Sequence, residues 1–359
     1  MPDWLLYTGS RLPHDGIDRL PPPPPWRAFD GGPVLQVPKG GSGNAHQATT
    51  YRPSDDAVQQ VNAALYLRRP LLVTGPPGTG KSTLAYAVAH ELGLGPVLHW
   101  PITSRTTLRD GLYQYDPLTR LYAAERDNAP SDEDIGRYIR LGPLGTALLP
   151  YGRPRVLLVD EIDKSDIDLP NDLLTIFEKG EYEIPELTRR ADPSAKVMTA
   201  DGPSSSPHPP PSKGRAPLDR PSSSPHPPPS KGRAPLDWPG ARVTVTAGTV
   251  RCHAFPLVVM TSNGEREFPP AFLRRCVTVE LRQPSGDAEL SAIVREHLGP
   301  LADQSDDLVR RFLERSTAGT LATDQLLNAV YLCRHADTED RRALADRIMP
   351  YLTGPIDDD

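Results

Sequence analysis

The stretch Leu71-Leu-Val-Thr-Gly-Pro-Pro-Gly-Thr-Gly-Lys-Ser-Thr-Leu84 constrains this chain more than any other. A short apolar run, Leu71–Val73, reads as a buried strand. It breaks at Gly75 into a glycine-rich loop that closes on Lys81-Ser82, and a helical pattern follows over Thr83–Leu92. The loop fits G-x-x-x-x-G-K-[ST], with Gly75, Pro76, Pro77, Gly78, Thr79, Gly80, Lys81, Ser82 and Thr83 in sequence. The glycines let backbone N–H groups turn inward onto phosphate oxygens, and the positive end of the following helix assists. Lys81 is expected to reach the β- and γ-phosphates, and the Ser82 hydroxyl to sit on Mg²⁺. The loop therefore predicts a nucleotide site.

Composition limits what surrounds this loop. A length of 359 residues allows two or three domains. A hydrophobic fraction of 37% with 43 prolines does not suit packed elements alone, so part of the chain reads as linker. The net charge of −6 argues against a general affinity for nucleic acid. Cys252, Cys276 and Cys333 are odd in number and widely spaced, which fits neither a disulfide framework nor a metal cluster. They read as small buried hydrophobes of a protein in a reducing cytoplasm. No apolar run approaches a membrane span, and Met1-Pro-Asp-Trp-Leu-Leu6 lacks a charged n-region with a cleavage site.

Taken in order, residues 1–48 carry Pro21–Pro25 and Gly40–Gly43 and read as an extended arm, with Trp4, Leu5, Leu6 and Trp26 available to dock on the body or a partner. Ser54 reads as the N-cap of a helix whose apolar positions are Ala57, Val58, Val61, Ala64 and Leu65. Val97–Trp100 reads as a second parallel strand. Residues 101–150 read as helix, polar loop, helix and loop. Arg155-Val-Leu-Leu-Val-Asp-Glu161 is a buried strand ending in two carboxylates, expected beside the phosphate-loop strand. There Asp160 would hold the Mg²⁺ shell and Glu161 would deprotonate the attacking water. Asp163, Asp166 and Asp168 read as solvated residues at a helix start.

Pro203–Asp219 recurs unchanged as Pro221–Asp237, a proline-rich tandem copy too short to bury apolar surface. Its flanks, Tyr182–Pro185 and Arg242–Thr246, alternate as strands and predict a hairpin whose tip has been lengthened within a loop at 200–240. Pro256–Asn263 and Val277–Leu281 read as two further core strands, separated by the basic pair Arg274-Arg275. The remainder, 285–352, reads as a small helical domain, and 353–359 as an acidic tail.

This order of motifs resembles that of an AAA+ ATPase, most closely the MoxR-like branch. The resemblance implies a P-loop NTPase fold, a parallel-sheet α/β sandwich over 49–284 with a C-terminal all-helical lid. It implies ATP and Mg²⁺ as ligands and a homo-oligomeric ring, taken as a hexamer. It also implies that Asn263 is the first sensor, orienting water, and that Arg274 or Arg275 is the arginine finger reaching the neighbouring subunit's nucleotide. A second-sensor arginine has no match in Leu321–Leu326, and Arg334 is the one substitute. The partner implied is a protein client, such as one with a von Willebrand factor A domain. A nucleotide-gated scaffold of low turnover and a nucleic-acid motor are the competing readings.

Overall fold

The computed structural model describes residues 4–38, 45–127, 132–189, 194–201, 242–284, 286–302, 305–316, 322–335 and 349. Its strands are β1 (Leu71–Thr74), β2 (Leu98–Pro101), β3 (Tyr113–Tyr115), β4 (Ile139–Leu141), β5 (Val156–Asp160) and β6 (Glu181–Glu183). They continue with β7 (Ala195–Met198), β8 (Arg242–Val245), β9 (Thr249–Arg251), β10 (Leu257–Ser262) and β11 (Val277–Glu280). The first helices are α1 (Ala45–Thr50), α2 (Asp55–Leu67), α3 (Lys81–Glu91), α4 (Leu108–Leu112), α5 (Pro117–Asp127) and α6 (Pro143–Ala147). Then come α7 (Leu169–Lys179), α8 (Pro185–Thr188), α9 (Pro270–Leu273), α10 (Asp287–Leu298), α11 (Asp306–Ser316) and α12 (Thr323–His335).

The centre is a parallel sheet in the order β11-β1-β10-β5-β2. Successive strand side chains leave opposite faces, and the two faces bury separate cores. Leu71, Val73, Val156, Leu158, Leu257 and Val259 pack on one side with Ala57, Val61, Leu84 and Val88 of α2 and α3. Leu72, Leu157, Val159, Val258 and Met260 pack on the other with Leu173 and Phe177 of α7. Burial on both faces is why these strands read as unbroken apolar runs. A third cluster, including Leu290, Val294, Phe312, Leu326 and Val330, joins α10, α11 and α12 as the helical lid. Among the described residues no helix is long and apolar enough to cross a membrane.

Several expectations need correction. The acidic strand β5 is not next to β1, because β10 lies between them. Residues 101–150 contain two short strands besides helices: β3 pairs antiparallel with β4, which continues through β7 to β8 in a second sheet. The predicted hairpin splits into two nested pairs. Glu181–Glu183 pairs with β9 and Arg242–Val245 pairs with Ala195–Met198, so the flanks of the proline-rich segment do not pair with each other. The tandem copies at 203–237, Gly40–Gly43, the acidic tail and the side chain of Arg334 lie outside the described residues.

The N-terminal segment, read as an extended arm, is docked on the body. Leu6 and Tyr7 are buried with Ile17 beside α2. The buried side chain of Asn62 organises them: its Oδ1 accepts from the Leu6 and Tyr7 N–H groups at 2.6 and 3.0 Å, and its Nδ2 donates to Tyr7 O at 2.7 Å. Further along, buried Arg27 donates to Phe177 O at 2.6 Å, and Phe29 stacks on Phe255. Of the apolar residues singled out there, Trp26 stays 76% exposed.

Candidate nucleotide site

The phosphate loop runs from the end of β1 into α3. Gly75 has φ +141°, and a Cβ there would collide with the Leu281 carbonyl at the end of β11. Gly78 has φ +75°, and its Cβ would lie 2.6 Å from that of Ala322, at the start of the lid helix α12. Both positions thus demand glycine for backbone reach and for close approach. Pro77 and Gly78 are exposed, and Thr79 donates its hydroxyl to Pro76 O at 2.9 Å. Gly80 caps α3, with Lys81, Ser82 and Thr83 in its first turn. That turn has backbone N–H groups without intrahelical partners, the local source of positive potential.

Lys81 is buried, and its Nζ donates to Gly75 O and Pro76 O at 2.7 and 2.8 Å. Burial pulls its pKa below the usual lysine value, against the pull of Asp163, Asp160 and Glu161. The neighbouring Ser82 hydroxyl donates to Asp160 Oδ1 at 2.6 Å.

β10 explains how Asp160 reaches Ser82 across an intervening strand. Its Thr261 pairs with Val73 of β1 in register, and the Thr261 hydroxyl donates to Asp160 Oδ1 at 2.6 Å. The same hydroxyl accepts the Glu161 N–H at 2.8 Å. On the other side, His99 of β2 places Nε2 3.3 Å from Asp160 Oδ2. Burial raises the Asp160 pKa, but hydrogen bonds from His99, Ser82 and Thr261 outweigh it and hold the carboxyl down at about 2. Ser82 Oγ and the Asp160 carboxylate are the hard oxygen donors that Mg²⁺ takes. Among the described residues no group of three His, Cys, Asp or Glu side chains converges as a cage.

Glu161 follows with φ +61°, a left-handed conformation unusual for a non-glycine residue. Its Oε2 lies 2.8 Å from Lys164 Nζ. Asp163, expected as solvated, is only 3% exposed. Its Oδ2 accepts the N–H groups of Asn263 and Glu265 at 2.8 and 3.1 Å, which pins the turn after β10 against the end of β5. Lys81, Ser82 and Asp160 thus meet where β1, β5 and β10 end, with Glu161 following β5 and Asn263 following β10 at the same edge.

Arg274 and Arg275 do not join them. The N–H of Val277, two residues after Arg275, donates to Pro70 O, at the start of β1. The four residues of β1, about 13 Å at the usual strand rise, separate that end from the phosphate loop. The two arginines differ. Arg275 pairs with Glu178 at 2.5 Å and donates to Ala271 O at 3.2 Å. Arg274 is exposed and follows the last turn of α9.

Sequence reasoning missed Thr261, His99 and the anchoring role of Asp163. Only Thr261 left a trace, as a hydroxyl in the polar end of an otherwise apolar strand.

Comparison with known families addresses the same stretch. Residues 70–209 match an AAA domain of the dynein-related subfamily. With the parallel sheet and the phosphate loop, the match gives this core the P-loop AAA+ fold. No curated protein matches the chain. Among solved structures, the Thermotoga maritima RuvB Holliday junction branch migration motor aligns at 14% identity and TM-score 0.36, over 82% of this chain and 64% of its own. A RuvB variant from the same organism aligns at 14% identity and TM-score 0.35, over 77% and 59%. The chain thus spans less than two thirds of either RuvB structure.

Proposed function

We propose that this chain binds Mg-ATP and hydrolyses it as a ring-forming AAA+ ATPase of MoxR type, whose turnover remodels or activates a protein client. The observation that carries the reading is the Ser82–Asp160–Thr261 chain of hydrogen bonds, which brings the Ser82 hydroxyl, next to Lys81, onto the Asp160 carboxylate, next to Glu161. Ser82 and Asp160 would hold Mg²⁺, which when bound neutralises charge developing on the transferring phosphoryl group. Glu161 takes the proton of the attacking water, and Asn263 orients that water.

The arginine pair acts on a neighbouring subunit, since it sits at the far end of β1 from its own phosphate loop. Of the two, exposed Arg274 is the finger, and Arg275 is occupied with Glu178. This reading includes a hexameric ring, an ATPase core over 49–284 and a lid over 285–352. A client with a von Willebrand factor A domain comes from the motif resemblance. A cytoplasmic setting fits three buried free thiols, and a nucleic-acid substrate is disfavoured by the net charge of −6.

One observation favours the low-turnover alternative. The Glu161 carboxylate is paired with Lys164, so the general base is engaged before substrate arrives. Steady-state ATP hydrolysis, measured alone and with candidate proteins, DNA or RNA, tests the proposal. Lys81→Ala is expected to abolish nucleotide binding. Unchanged ATP binding in that variant would overturn the assignment.

A further inference from the structure

Asp163 carries more chemistry than the turn it anchors requires. Holding the Asn263 and Glu265 N–H groups takes a single oxygen, Oδ2, which an asparagine amide would supply equally well. The second oxygen, Oδ1, is buried and has no partner among the described residues. A buried carboxylate oxygen without a donor carries a desolvation penalty that folding alone does not recover. Its place in the fold is specific, between the end of β5 and the turn that follows β10. Through Oδ2 Asp163 holds the backbone of Asn263, the residue after β10, and it follows Asp160 of β5 by three positions, so the carboxylate sits at the strand ends where Ser82 meets Asp160. The two carboxylates just before it in the chain are engaged: Asp160 with Ser82, Thr261 and His99, and Glu161 with Lys164.

We propose that Asp163 is a positioning residue for the magnesium–nucleotide complex: Oδ1 accepts a hydrogen bond from a water carried by the cation, while Oδ2 holds the turn that bears Asn263. The inference rests on the nucleotide reading above. Mg²⁺ gives up its waters reluctantly and keeps several when bound. A carboxylate oxygen is the strong acceptor that such a water seeks. Ser82 and Asp160 offer the direct oxygens, and Asp163 supplies an outer contact from the sensor side. It would couple the arrival of the cation to the position of Asn263.

The test compares ATP and ADP affinity of the unmodified protein and Asp163→Asn by calorimetry, in Mg²⁺ and in excess EDTA. Asp163→Asn should match the unmodified protein in EDTA and melt at the same temperature without nucleotide. Its Mg²⁺-dependent tightening should be weaker by about tenfold, the equivalent of one charge-assisted hydrogen bond. An equal Mg²⁺ increment in both proteins would overturn the proposal. So would a loss of affinity of the same size in Mg²⁺ and in EDTA, which marks a merely structural role. Asp163→Ser, read the same way, stands in if Asp163→Asn does not fold, and failure of both to fold assigns the carboxylate to the fold and overturns the proposal. An unmodified protein that binds no nucleotide under either condition sinks the nucleotide reading itself. An intact Mg-ATP site with an unaltered increment in Asp163→Asn sinks only this inference.

Discussion

Glu161 and its neighbours make the sharpest statements at the scale of single residues. Glu161→Gln should bind Mg-ATP normally and lose turnover by roughly 10²–10⁴-fold, the usual contribution of a general base. Lys164→Ala frees the carboxylate. The pair it removes is about two-fifths exposed on each side, 40% and 42%, and such pairs contribute under about 1 kcal/mol. Basal turnover should therefore rise by less than about fivefold, and a larger rise would make Lys164 a dominant brake. Asp160 links the site to acid stability. Its folded pKa of about 2 lies below the ordinary 3.8, so its contribution is present above about pH 4 and is lost as pH falls towards 2. Integrated, the shift corresponds to about 2 kcal/mol. Urea unfolding of Asp160→Asn followed from pH 4.5 to pH 2 should show a shallower decline than the unmodified protein.

At the scale of elements, legibility followed burial. β1, β5 and β10 are covered on both faces, and their apolar runs announced them. The phosphate loop was legible for a related reason: its chemistry lies in consecutive residues, so spacing alone places Lys81 and Ser82. Thr261, His99 and Asp163 act across strands, and their roles depend on which strand neighbours which. No local pattern carries that information. β3 and β4 are three-residue strands held by their partners, below the length at which alternation can be read. The N-terminal segment misled because proline and glycine dominate its composition, while its docking rests on a few residues around Asn62. Asn62→Ala strands the Leu6 and Tyr7 N–H groups in a buried setting, and unsatisfied buried groups cost about 1–3 kcal/mol each. Denaturant midpoints should report a destabilisation of at least about 2 kcal/mol, with nucleotide contacts untouched.

The proposed ring makes its predictions at the scale of the whole molecule. An arginine supplied in trans to a transferring phosphoryl group contributes roughly 10³–10⁵-fold. Activity per subunit should then rise with protein concentration as subunits assemble. Arg274→Ala should remove turnover with little change in nucleotide affinity. Arg275→Ala should mainly loosen the α7–α9 contact through Glu178. Mixing Arg274→Ala with Glu161→Gln places an intact finger opposite an intact base at some interfaces, so activity should return. Its failure to return at every ratio, with no effect of concentration, would assign the arginine to its own chain.

The anchoring of β7 has a consequence for how this protein can change over time. Asp201 is locked to Arg155 by an ion pair at 2.6 Å whose two side chains are 0% and 1% exposed. Met198 lies directly opposite Arg242 across the β7–β8 pair. Asp201 and Arg242, which flank the tandem copy in sequence, are therefore each held by a partner of their own. Neither anchor draws on Pro203–Asp237, so an added copy of that unit changes the sequence between two held points and not the partners that hold them. The two anchors make a splice point at which evolution, or an engineer, can change the sequence between them without touching the contacts that hold either end.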